Sequence, residues 1–83
     1  MDTNDLYRLP DGVTLPREYR KTRKAQEWYI AGAKDGAKGQ RFYTEDDKGD
    51  LIRHQGLAAW VAYNEGYEAA ERVRLQRAGS AGQ

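Results

Sequence analysis

The chain has 83 residues, with 14 Lys and Arg against 13 Asp and Glu, one His and no Cys. That is room for one domain, and it excludes a disulfide framework and a cysteine zinc site. A composition of 39% hydrophobic and 33% charged residues contains no apolar run near the roughly 20 residues of a bilayer span, so no membrane crossing is expected. A formal net charge of +1 argues against indiscriminate coating of nucleic acid.

Residues 1–13 are expected to form a flexible amino-terminal arm. Pro10-Asp11-Gly12 reads as a turn, because Pro presets its own dihedral and Gly tolerates the positive one. The flanking Leu6-Tyr7-Arg8-Leu9 and Val13-Thr14-Leu15 either pair as a small hairpin or form an arm that docks through Leu6, Tyr7 and Leu9. The acidic, polar start lacks a signal-peptide pattern, and with the absence of Cys it fits a cytoplasmic protein.

A single helical domain over 14–77 follows. Thr14 can cap, Pro16 suits a first helical turn, and Glu18 favours the positive end of the helix dipole. These signals predict a helix from Arg17 to Ala37, with Gly39 at its carboxyl cap. Gly32 and Gly36 stand four apart, so another backbone can approach that face; contact with an anion or an RNA phosphate is the alternative use. No Gly-Lys-Ser/Thr follows, so the run is not a phosphate loop.

Gln40–Gly56 has two readings. Arg41-Phe42-Tyr43-Thr44 and Asp50-Leu51-Ile52-Arg53 would pair as a short hairpin across the acidic turn, or Asp50 would cap a helix starting at Leu51. The helix is preferred, since an isolated hairpin is marginal in water. Leu57–Arg74 has the clearest helical period: Trp60, Tyr63, Tyr67 and Ala70 share one face and form the expected core seam, with Gly66 permitting close approach. Ala78–Gln83 carries no bulky side chain and is expected to be disordered.

Charge is segregated. Arg17, Arg20, Lys21, Arg23 and Lys24 form a basic cluster suited to phosphate contact, with Tyr19, Trp28 and Tyr29 nearby as possible stacking groups or core. Asp46, Asp47 and Asp50, with Glu65, Glu68 and Glu71 on the second helix, form the opposing acidic set, the candidate face for a protein partner. The acidic loop lacks the alternating ligands of a calcium hand, and one His without Cys offers neither a metal cluster nor a nucleophile–base pair. No cofactor, no metal and no catalysis are expected.

Trp28-Tyr29-Ile30-Ala31-Gly32, then Gly36, then Tyr63-Asn64-Glu65-Gly66-Tyr67-Glu68-Ala69-Ala70, resembles the layout of ribosome modulation factor and its small phage and bacterial relatives. The resemblance implies a two-helix cytoplasmic protein that binds ribosomal RNA and proteins and silences the ribosome. Carried over by it are Trp28, Gly32, Gly36, Tyr63, Gly66 and Tyr67.

The expected fold is mostly α: a two-helix antiparallel hairpin with a loop or short β-hairpin between the helices, able to form a four-helix homodimer. The expected function is that of a small binding protein, encoded by a phage or mobile element. It would block a host nucleic-acid-handling complex, such as a CRISPR-type defence complex, by stoichiometric binding through its acidic face. The alternative is a ribosome- or RNA-binding modulator of translation that uses the basic cluster. A structural or virion accessory role is the third class.

Overall fold

The computed structural model describes residues 8–81, in which three helices carry most of the chain and no strand forms. The helices are α1 (Arg23–Lys38), α2 (Lys48–Gln55) and α3 (Leu57–Ala81), with short 3-10 turns at Arg17–Tyr19 and Glu45–Asp47. Among the described residues no helix is long and apolar enough to cross a membrane.

The first helix starts six residues later than the capping signals predict. Tyr19 supplies the reason. Its ring packs on Tyr29 with centroids 5.3 Å apart, whereas ten residues of continuous helix would separate the two by about 15 Å. The chain therefore takes a single tight turn at Arg17–Tyr19 and passes through an extended Thr22 before α1 begins. The later start is set by packing and not by the helix dipole, since α1 opens on Arg23 and Lys24 with no acid in its first turn. At the other end the expected cap is present: Gly39 adopts φ 71°, its N–H reaches the Gly36 carbonyl, and Gln40 N–H reaches that of Asp35. This double closure satisfies carbonyls that the helix end leaves open.

The connection is helical, as preferred, but α2 begins at Lys48 and not at Leu51. Asp50 sits in its first turn; the turn residue that organises the start is Asp47, whose carboxylate accepts from the Thr44 N–H at 3.0 Å and from Thr44 Oγ1 at 3.2 Å. Gly56 at φ 97° then separates α2 from α3. The α3 backbone continues to Ala81, into the segment expected to be disordered; Ala78 and Ala81 are strong helix formers. Leu6 and Tyr7, expected to dock, lie outside the described residues.

The antiparallel hairpin is corrected to a parallel pair. Gly32 lies against the Tyr63 backbone and Gly36 against that of Tyr67, so a step of four along α1 matches a step of four in the same sense along α3. Gly66 of α3 in turn lies against the Tyr29 backbone. Residues 39–56, including α2, form the return crossover that two parallel helices require. The three glycines allow backbone-to-backbone approach that any Cβ would prevent, and Ala33, Ala62 and Ala70 keep the same seam narrow. The expected core face is buried as a set: Trp60, Tyr63, Tyr67 and Ala70 on α3, joined by Tyr29, Ile30 and Ala33 of α1 and Leu51 of α2. Val13 is buried with them, and Leu9 and Leu15 pack against the same cluster, so the described part of the amino-terminal segment contributes to the core.

Candidate functional site

The basic cluster lies on the 3-10 turn and the first turn of α1. Arg17, Arg20, Lys21, Arg23 and Lys24 are all exposed. The segment that carries them is fixed from beneath. Tyr19 packs on Tyr29 and donates its hydroxyl to Glu65 at 2.7 Å, while the Tyr29 hydroxyl donates to the Thr14 carbonyl at 3.2 Å. The anchors face inward and the cations outward, on a surface built before any ligand arrives. Arg23 reaches Glu27 one turn on at 3.8 Å, a contact between exposed groups worth a few tenths of a kcal/mol.

Burial raises the Tyr19 phenol far above its ordinary value, helped by its hydrogen bond to Glu65 and by that carboxylate's charge. Burial also raises Tyr29, and burial followed by the hydrogen bond to Asp35 raises Tyr63. Below a pH of about 10 both folded and unfolded chains hold these protons, and the three groups contribute no pH dependence. Above it the unfolded chain releases them while the folded chain resists, so stability falls as pH rises. Urea midpoints should accordingly decline above pH about 10, with phenolate absorbance from these tyrosines appearing together with unfolding. Phenolate absorbance developing fully in the folded protein would contradict this.

Of the acids grouped by the sequence, all are exposed except the half-buried Glu71, and three of them also make contacts within the fold. Asp47 holds Thr44 at the start of the acidic turn, Glu65 holds Tyr19, and Glu71 lies 3.8 Å from Arg74. Asp46, Asp50 and Glu68 are exposed, and Asp50 lines a hollow with Trp28, Tyr43, Leu51 and His54. Asp47→Ala should cost about 1 kcal/mol through the lost cap, and Asp46→Ala should lie within about 0.5 kcal/mol of wild type, both read from denaturant melts.

A second constellation escaped the sequence. Tyr63, buried on α3, uses its hydroxyl three times: it donates to Asp35 at 2.6 Å and accepts from the Phe42 N–H at 2.9 Å and the Tyr43 N–H at 3.3 Å. Arg41 closes the same loop on α3, donating to Asn64 Oδ1 at 2.6 Å and to the Tyr43 carbonyl at 3.2 Å, with its guanidinium 4.5 Å from the Tyr67 ring centroid. Tyr43 meets Trp28, Phe42 and Tyr63 edge-on. The loop Arg41–Tyr43 is thus clamped, yet Phe42 is 72% exposed at its tip. Arg41-Phe42-Tyr43-Thr44 carried only a β-favouring signal; a tyrosine twenty residues away that binds two consecutive backbone N–H groups has no sequence signature.

Beside this loop lies an open hollow of about 540 Å³ lined by Lys24, Glu27, Trp28, Ala31, Tyr43 and Gln55. Lys24, Trp28 and Ala31 share one face of α1, so the hollow joins the basic cluster to the half-buried Trp28–Tyr43 pair. Among the described residues no three His, Cys, Asp or Glu side chains converge as metal ligands would. No family model matches the chain, and neither a curated protein nor a solved structure matches it.

Proposed function

We propose that this chain is a non-catalytic binding protein that attaches to a nucleic-acid-handling complex of its host cell and modulates that complex by occupancy. The observation that carries this reading is the basic amino-terminal end: Arg17, Arg20, Lys21, Arg23 and Lys24 are exposed together on a segment anchored by Tyr19. Exposed cations on a segment anchored through Tyr19 gain affinity for phosphate by releasing counterions. Three of the six acids first assigned to a partner face also make contacts within the fold, and the phosphate-directed surface is favoured because its five exposed cations share one short segment. The favoured target is a ribonucleoprotein in the cytoplasm, in line with the resemblance to ribosome modulation factor.

One observation supports the second reading, an inhibitor that occupies a host protein's nucleic-acid groove, such as that of a CRISPR-type complex. Phe42, the most exposed large apolar side chain among the described residues, stands just before the exposed Glu45 and Asp46. An aromatic anchor beside an acidic turn complements an apolar pocket rimmed by cations.

Charge reversal separates the two. The tagged protein is captured from host cells with and without nuclease. On the favoured reading Arg20→Glu/Arg23→Glu loses the captured ribonucleoprotein, nuclease treatment releases it, and Asp46→Arg/Glu68→Arg leaves it bound. The reverse pattern, resistant to nuclease, would transfer the function to the acidic side.

A further inference from the structure

We infer that the hollow over Trp28 and Tyr43 receives an unpaired nucleobase, with the flanking phosphates on Lys24 and the basic segment before it; the inference rests on the phosphate-directed reading of that segment and adds what is read besides charge. Four features of the hollow support it. Trp28 and Tyr43 meet edge-on at 5.4 Å, so each is braced by the other while both keep part of their surface in solvent. Ala31 forms part of the lining where a larger side chain would fill the space, and the hollow is open enough to be reached from solvent. Lys24 stands one helical turn before Trp28 on the same face, a separation that suits a phosphate and its attached base. Gln55 brings to the rim an amide that can both donate to and accept from a base edge.

The charges around the hollow favour an approach from Lys24. Glu27 is on the rim, 3.8 Å from the Arg23 guanidinium. Asp47 and Asp50, with His54, line a second hollow that shares Trp28, Tyr43 and Gln55 with the first. Phosphates are disfavoured beside those acids, so a bound strand enters from Lys24 and its backbone stays on the basic segment. A duplex cannot use the hollow, because its bases are already stacked.

The test is a fluorescence titration of the full chain with a twelve-residue oligo(U), an oligo(dT) of equal length, an RNA duplex and heparin. Trp60 is buried, so a change in emission reports mainly on Trp28. Both single strands should change the emission more than the duplex or heparin does, and a preference for oligo(U) over oligo(dT) would assign RNA as the source of the base. Trp28→Ala should weaken oligo(U) binding about tenfold and leave heparin binding unchanged. Ala31→Leu, which fills the hollow from its floor and suits a helix, should give the same selective loss with Trp28 in place, and it serves if Trp28→Ala fails to fold. If single strands, duplex and heparin bind alike and Ala31→Leu has no effect, the base site is wrong while the phosphate surface stands. If none of the four binds at low salt, the phosphate reading itself fails.

Discussion

Gly32→Ala should unfold this protein or cost it more than about 3 kcal/mol, and Gly66→Ala should do the same. Helix propensity alone predicts the opposite, since alanine is favoured over glycine in a helix interior by about 1 kcal/mol. Packing decides the sign. A Cβ at Gly32 would overlap the Tyr63 carbonyl, and one at Gly66 would overlap that of Tyr29; both obstacles are backbone and have no rotamer to give. Relief requires the two helices to separate, which opens the seam that buries Tyr29, Ala33, Ala62 and Tyr63. For 83 residues the whole stability is about 4–12 kcal/mol, so either substitution removes a large share of it. Gly49 is the control. It lies in α2, where a Cβ meets nothing, and Gly49→Ala should stabilise by about 0.5–1 kcal/mol. Thermal melts of the three variants give the test: a Gly32→Ala variant as stable as Gly49→Ala would refute the parallel glycine seam.

Tyr63→Phe should cost about 2–3 kcal/mol, although it removes one oxygen and leaves the ring in place. The hydroxyl it deletes serves the Asp35 carboxylate and the Phe42 and Tyr43 N–H groups. The loss should be local as well as global. Hydrogen exchange at the Phe42 and Tyr43 amides should accelerate more than exchange within the α1–α3 seam, because the clamp on the loop goes first. If exchange accelerates uniformly, the hydroxyl supports the core as a whole and not the loop in particular.

Much of the seam was legible in the sequence because its residues obey one rule. Trp60, Tyr63, Tyr67 and Ala70 recur at helical spacing, and all are buried. Gly32, Gly36 and Gly66 were readable as points of close approach for the same reason, since a glycine at a helix interior costs stability unless a neighbour needs the space. Their direction was not readable: periodicity identifies a face but not the sense in which its partner runs. Only the match of Gly32 to Tyr63 and Gly36 to Tyr67 distinguishes parallel from antiparallel. The start of α1 was misplaced because Thr14, Pro16 and Glu18 are valid local signals, overridden by the contact of Tyr19 with Tyr29 and Glu65.

The candidate site divides along the same line. The basic cluster was visible as composition, and all five of its cations are exposed. The acids looked equivalent because charge alone does not distinguish a solvated carboxylate from one that caps Thr44 or holds Tyr19. The clamped loop around Phe42 was invisible, since its order comes from Arg41 and Tyr63 acting across the fold.

We propose that the amino-terminal cations contact nucleic-acid phosphate. The most direct measurement is the affinity of the purified chain for single-stranded RNA as a function of salt. With four or five phosphate contacts, log K should fall against log salt with a slope of about −3, and Arg20→Glu/Arg23→Glu should reduce the slope to about −1.5 and weaken binding at every salt concentration. No RNA affinity at low salt, or a slope unchanged by the double reversal, would contradict the claim.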